Sequence, residues 1–393
     1  MKTGIDDIAF YTPRYYMDLK NLAQSYGVDP QKFAIGLEQE KMAVMPPNED
    51  IITMAANAAE ALFKNCDKSK ISPIIFASES FVDQAKSGAI HIKTLLGLPE
   101  DCMAFDIKQA CCGGTYALLT AQAFVHMNPE REVLVICSDH ALYPAGSPAE
   151  ATQGAAAVAM IIKEDPRLLH ISPDYVTLLD DQMDFWRPSY CKTACVDGKL
   201  SIKTYLKLFE QSIERYSQSN SLDDLSAILL HLPYNGISRK VLNVLRKNGK
   251  DLDFKDTIDS SKIYSRMIGN SYTASLYLGF ISLMDHAEIP LEKLGFYSYG
   301  SGSTAVFFNG RINQLRTNQE KNTAHLEGRI EVDHEQYTEW HEWHCSFFPG
   351  RIDSNLFSGK HFLEGIENRK RIYSRRTQKC KEATKSFQLH RAG

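Results

Sequence analysis

No apolar run in this chain approaches the ~20 residues that a helix needs to cross a membrane. An excess of basic charge is missing too. The formal net charge of −4 excludes the broad basic face of a nucleic-acid binder. The opening Met1-Lys2-Thr3-Gly4-Ile5-Asp6-Asp7 lacks the apolar core of a secretion signal and passes at once into a folded pattern, so a cytoplasmic protein is expected. Cysteine occurs nine times, an odd number, which in a chain of 393 residues does not read as a disulfide framework. Cys137 lies inside an apolar run and is expected to be a buried thiol. No zinc pattern is complete. Cys191 and Cys195 have no second pair, and His334, His341, His344 and Cys345 have the wrong spacing. These histidines, beside Trp340 and Trp343, are read as hydrogen-bonded or surface groups, and no metal is expected. A phosphate loop and a dinucleotide fingerprint are also missing.

What is present is an ordinary globular balance, 44% hydrophobic and 23% charged residues, in a chain long enough for a large core and two or three domains. The chain reads as built twice. The apolar run Ile74–Ala77 ends at Ser78-Glu79-Ser80, and the run Ala227–Leu230 ends at His231. A small-residue turn follows in each half, Ala110-Cys111-Cys112-Gly113-Gly114 in one and Gly269-Asn270-Ser271 in the other. Each turn opens an amphipathic segment. A second apolar run then appears, Val133–Ser138 or Leu294–Ser298. The matching places lie roughly 150–160 residues apart, as an internal duplication requires. Runs 157–162 and 304–308 close the halves. Such continuous apolar runs predict parallel strands covered by helices on both faces. Helices are predicted over 50–63, with Asp50 as cap, and over 202–216. The expected organisation is a first half to residue 165, a second half over 166–373, and a disordered basic tail over 374–393.

Joining the halves face to face gathers Glu79, Cys111, His231 and Asn270 at one seam. A carboxyl, a thiol, an imidazole and an amide in one place point to covalent catalysis. Cys111 is the first candidate nucleophile. It stands where a loop becomes a helix, and the positive helix end is expected to lower its pKa. Gly113 and Gly114 are read as room for a bulky substrate. Cys112 is a rival, but adjacent helical residues point ~100° apart, so one of the two faces the seam. Glu79, at a strand end, is the candidate general acid or base. Its bland alternative is a capping or ion-paired glutamate. For His231 the alternative is a hydrogen-bonded core histidine. Asn270 is read as bonding His231, bonding a substrate oxygen, or capping the next helix. Gly300-Ser301-Gly302-Ser303 offers backbone N–H groups that, with that of Cys111, would form an oxyanion hole.

These motifs resemble the hydroxymethylglutaryl-CoA synthase family of the thiolase superfamily over nearly the whole chain. The likeness runs through Gly4-Ile5-Asp6, Tyr11–Tyr16, Ser78-Glu79-Ser80, Ala110-Cys111 with Gly113-Gly114, Asp184–Pro188, Val196–Ser201, His231-Leu232-Pro233, Gly269-Asn270 and Ser298–Gly302. The resemblance implies a thiolase-like α/β fold, two pseudo-symmetric halves in an α-β-α-β-α arrangement. It also implies an acetyl thioester on Cys111, Glu79 as general base for carbon–carbon bond formation, and His231 positioning acetoacetyl-CoA. Asn270 and the Ser301 backbone would hold thioester oxygens, with Tyr143, Asp139 and Asp184 nearby. The implied substrates are acetyl-CoA and acetoacetyl-CoA, with no cofactor beyond the coenzyme A they carry, in a homodimer.

Cys112, Gln109, Leu142 and Ala156 depart from the family pattern. Gln109 is shared in character with polyketide β-branching relatives, which act on an acyl carrier protein. Arg239 and Lys240, shortly after His231, suit either CoA phosphates or an acidic carrier. A β-branching synthase is therefore the first alternative. A non-catalytic paralogue that binds acyl-CoA is the second, opposed by the joint presence of Glu79, Cys111 and His231.

Overall fold

The computed structural model describes residues 2–247, 254–315, 317–346, 348–352 and 356–376. Nine strands form one mixed sheet. They are β1 (Thr3–Tyr11), β2 (Ile71–Ala77), β3 (Ala104–Ile107), β4 (Glu132–Ala141), β5 (Gly154–Glu164), β6 (Leu169–Leu179), β7 (Ala227–Leu230), β8 (Lys293–Gly300) and β9 (Thr304–Ile312). Their order is β7-β8-β9-β6-β1-β5-β4-β2-β3. Counted outward from the centre, β1-β5-β4-β2 on one side matches β6-β9-β8-β7 on the other. Directions match as well. β1 with β5 and β5 with β4 are antiparallel, as are β6 with β9 and β9 with β8. β4 with β2 and β8 with β7 are parallel. A short antiparallel contact, Gly4 opposite His170 and Ile5 opposite Leu169, joins the two sets.

The expectation of parallel strands holds for β2 with β4 and for β7 with β8, and is corrected for the closing runs, β5 and β9, which lie antiparallel to their neighbours. Continuous apolar runs report burial on both faces, and burial does not set direction. Connections do: only Ser301–Ser303 separates β8 from β9, which forces a hairpin. Helix α1 (Ile51–Glu60) packs on β4 and β5 from one side, and α2 (Gly113–Met127) packs on the same strands from the other. Helix α3 (Gly198–Tyr216) covers β6 and β9. Helix α4 (Ser275–His286) is buried from Ser275 to Asp285 and meets α2 in the middle layer, where the Thr115 and Tyr277 hydroxyls lie 2.9 Å apart. The layers therefore alternate as α1, strands, α2 with α4, strands, α3.

Asp50 caps α1 as expected, and its carboxylate accepts from the Ile52 and Thr53 N–H groups. The same carboxylate accepts from Arg371 and Tyr373 on a small three-stranded sheet, β10 (Gly350–Arg351), β11 (His361–Glu367) and β12 (Lys370–Arg375). This corrects the start of the expected tail. Ser374 and Arg375 continue β12, because Arg375 reaches Glu60 at 3.1 Å and Arg376 lies over the Phe357 ring. Residues 377–393 lie outside the described residues. Among the described residues, no helix is long and apolar enough to cross a membrane.

Candidate active site

Two strand ends and two helix-opening loops carry the four candidate side chains. β2 delivers Glu79 just past its last residue, and β7 delivers His231 in the same way. The loop before α2 carries Cys111, with Ala110 in the left-handed region at φ 42°. The loop before α4 carries Asn270, preceded by Gly269 at φ 90°. Both loops thus have a positive φ one residue before the functional side chain.

Cys111 Sγ donates to Glu79 Oε1 at 2.9 Å. Burial, with help from the nearby Asp139 charge, pushes the Glu79 carboxyl up to about 8, against weaker opposing pulls from the Cys111 hydrogen bond and then Arg187. The Cys111 thiol is pushed well above its ordinary range, first by burial and then by the Glu79 carboxyl. The expected lowering by the helix end does not occur. The helix begins at Gly113, two residues on, whereas the carboxyl is in direct contact. Cys112, the rival thiol, is wholly buried and accepts from Ser298 Oγ at 3.3 Å.

His231 is 2% exposed, and burial drives its imidazole down to about 3, so the ring is neutral. Its main chain is fixed by the Tyr297 carbonyl and the Tyr205 hydroxyl, while Nδ1 has no hydrogen-bond partner. Asn270 uses its side-chain oxygen to accept from the Tyr272 N–H at 2.9 Å, capping the turn before α4. Ser301 sits at the β8–β9 turn. Its neighbour Gly300 lies so near the Cys111 loop that a Cβ would stand 2.7 Å from the Cys112 nitrogen.

Asp184 supports this turn from beneath. It is fully buried and accepts from Tyr299 OH at 2.7 Å and Gly302 N–H at 3.0 Å. Those bonds place Asp184 against the turn that carries Ser301. They also engage the Gly302 N–H, one of the loop donors expected to face a substrate. Tyr143 is buried with its ring 6.3 Å from Phe185, which in turn packs on Tyr272. Arg239 and Lys240 stand apart from this cluster on an exposed helix. Arg239 is ion-paired with Glu38 at 2.7 Å and donates to the Ile35 carbonyl at 2.6 Å, while its side chain stays half exposed.

The sequence reading missed how much Asp139 holds together. This buried carboxylate accepts from Ser78 Oγ (2.9 Å), Glu79 N–H (2.8 Å) and Ser80 Oγ (2.8 Å). It also accepts from the Thr273 N–H (3.1 Å) and the Thr273 hydroxyl. One side chain thereby ties the Glu79 strand end to the Asn270 loop of the other half. Arg187, within Asp184–Pro188, lines a cavity of about 750 Å³ beside Glu79, Ala110, Leu142 and Phe185. An arginine that opposes the rise of a catalytic-type carboxyl has no signature in spacing alone.

Models of the hydroxymethylglutaryl-coenzyme A synthase N-terminal and C-terminal regions match residues 1–166 and 237–376. A hydroxymethylglutaryl-CoA synthase of Enterococcus faecalis is 40% identical over 388 residues, covering 95% of this chain and 100% of that protein. The chain belongs to the hydroxymethylglutaryl-CoA synthase family. It is accordingly an enzyme of the acyltransferase type with a thiolase-like fold. A crystal structure of an HMG-CoA synthase complexed with CoA superposes with a TM-score of 0.88 at 35% identity, covering 95% of this chain and 100% of that one. The polyketide biosynthesis 3-hydroxy-3-methylglutaryl-ACP synthase PksG of Bacillus subtilis is more distant, 30% identical over 86% of this chain and 87% of its own length. Among the described residues, no three His, Cys, Asp or Glu side chains converge as metal ligands.

Proposed function

We propose that the enzyme condenses acetyl-CoA with acetoacetyl-CoA through an acetyl group carried on Cys111. The observation that carries this reading is the 2.9 Å contact between the Cys111 thiol and the Glu79 carboxyl at the seam. The thiol attacks the acetyl carbonyl, its proton passes to a neighbouring base, and CoA leaves as its thiol. Glu79 then removes a methyl proton from the acetyl group. The resulting carbanion attacks the 3-keto carbon of acetoacetyl-CoA, and the keto oxygen takes up a proton. Water cleaves the Cys111 thioester and releases 3-hydroxy-3-methylglutaryl-CoA. A neutral His231 orients the acceptor and donates a hydrogen bond to its keto oxygen without holding a full charge in the buried site. Asn270 and the Ser301 backbone hold thioester oxygens, and Tyr143 forms part of the wall. Asp184 acts by supporting the turn that carries Ser301. Lys240, beyond the buried site, is left for a phosphate of CoA.

The substrates bring coenzyme A with them, and the proposed steps use no resident cofactor or metal. The chain works as two halves meeting near residue 165, the first giving Glu79 and Cys111 and the second His231 and Asn270. A homodimer in the cytoplasm completes the reading. The edge strand β3 supports it, since it pairs on one side with β2 and leaves its other edge for a second copy.

The test is incubation with labelled acetyl-CoA followed by peptide mapping and product assay. Label on Cys111 that disappears in Cys111→Ser and persists in Cys112→Ser is expected, with product formed on adding acetoacetyl-CoA. Label on Cys112 would overturn the assignment. A kcat/KM favouring an acetoacetyl carrier protein over acetoacetyl-CoA would move the enzyme to the polyketide branch, for which the 30% identity to PksG is the supporting likeness.

A further inference from the structure

Helix α5 (His334–Cys345) belongs to neither set of paired strands, yet it reaches the wall of the active site. Tyr337, His341 and His344 follow one another at i, i+4 and i+7, along one face. Each ends in a hydrogen bond to the first half. Tyr337 OH donates to Glu150 Oε1 at 2.6 Å and accepts from Gln153 Nε2 at 2.8 Å. Gln153 Oε1 accepts the Tyr143 N–H at 2.7 Å. His341 Nε2 lies 2.9 Å from the Tyr143 carbonyl. His344 Nε2 lies 2.9 Å from the Met45 carbonyl. A carbonyl only accepts, so both imidazoles carry their hydrogen on Nε2.

Tyr143 therefore has both main-chain groups held, its N–H by Gln153 and its carbonyl by His341, and both restraints trace to α5. The restraints act on the segment between β4 and β5, beside its own turn bonds and the Ala194 N–H held by the Leu142 carbonyl. That segment also seats the other half of the site. The Asn270 N–H donates to the Thr152 carbonyl at 3.0 Å, and a Cβ at Gly269 would stand 1.9 Å from the Gln153 carbonyl oxygen. A shift of the Tyr143 segment would move Tyr143 and Asn270 together.

We propose that His341 is a positioning residue, which through the Tyr143 carbonyl holds Tyr143 and the Asn270 loop in register with Glu79 and Cys111 for condensation. The inference rests on the active-site reading above. His341 touches no reacting atom, so its loss should appear in kcat more than in KM. Small displacements of a reacting constellation cost up to ~10²-fold in rate.

The experiment compares His341→Leu, which removes the donor, with His341→Gln, which offers an amide N–H near the place of Nε2. His341→Leu is expected to lower condensation kcat by about 10- to 100-fold while KM changes by less than about 3-fold. His341→Gln should recover most of the rate. Tyr143→Phe combined with His341→Leu should be little slower than the slower single variant, because both act at one place. Equal rates for wild type and His341→Leu, equal impairment of Leu and Gln variants, or fully multiplicative losses would overturn the proposal. If the Leu variant does not fold, Gln is compared with His341→Asn, whose shorter amide falls short of the carbonyl, and equal activity of those two overturns it. Acetylation of the wild type is measured in parallel. Its absence would count against the proposed reaction, whereas normal acetylation and condensation with an indifferent His341 would count against the brace alone.

Discussion

Glu79 and Cys111 share one hydrogen bond, and burial raises the pKa of both groups. Their identities were legible from a carboxyl at a strand end and a thiol at a helix-opening turn. The raised thiol pKa was not, because it depends first on burial and then on a carboxyl 32 positions away in the chain. With its carboxyl pushed up to about 8, Glu79 is largely protonated at neutral pH and becomes a base as pH rises. Condensation kcat should therefore climb as pH rises through about 8. Glu79→Gln should lose this limb, keep measurable covalent acetylation, and form product at a rate lower by ~10²-fold or more. A pH–rate profile of the wild type that is flat across neutral and mildly alkaline pH, or near-normal turnover in the glutamine variant, would contradict the role. The fate of Arg239 was equally hidden. Its partner Glu38 comes from the other half of the molecule, so nothing near Arg239 in the chain announced the pairing.

Elements were legible where their causes are local. Asp50 capping α1 needed only residues three positions away. Strand direction was read correctly for the β2–β4 and β7–β8 pairs and missed for β5 and β9, where the connections rather than the apolar runs set it. The two glycines opening α2 were read as space for substrate, and here the structure separates them. A Cβ on Gly114 would stand 2.6 Å from Cys137 Sγ and 2.8 Å from the Thr273 carbonyl oxygen, so its bareness serves contact between helix, sheet and the opposite half. At Gly113 the nearest atom is a methyl at 3.4 Å. Gly→Ala within a helix otherwise gains up to ~1 kcal/mol, so the sign of the change is diagnostic. Gly113→Ala should be neutral or slightly stabilising in denaturant unfolding. Gly114→Ala should cost ~1–3 kcal/mol by overpacking. The same stability for both variants would refute the packing argument.

At the scale of the whole molecule, buried titratable groups give the fold a pH dependence with a defined sign. Burial pushes Glu49 up to about 7 and Glu79 up to about 8, so the folded state holds protons that the unfolded chain releases. Their stabilisation is complete below the ordinary carboxylate range and is lost as pH rises through about 7 and about 8. His231 and His344, pushed down to about 3 and about 4, act oppositely, but their effect is complete once pH exceeds the ordinary histidine value. Burial also pushes down His91, His140, His170, His325 and His361, so the histidine effect persists to about a unit above the ordinary value; above about pH 7.5 the carboxyls dominate, and Tm should fall. Glu49→Gln, which keeps an acceptor for Tyr11 OH and the Ser358 N–H, should flatten the overall pH dependence, with a difference of up to ~3 kcal/mol at the alkaline end. A Tm that rises above about pH 7.5, or an unchanged pH dependence in the variant, would contradict the assignment. By itself the sequence determined the family, the doubled plan, the Asp50 cap and the residues at each strand end, because each is written in neighbours a few positions apart. Only the tertiary structure decided the raised thiol, the engagement of Arg239, the Asp139 joint between halves and the α5 brace on Tyr143. All of these are set by distances of a few ångströms between residues far apart in the chain, where electrostatic and hydrogen-bond energies are decided.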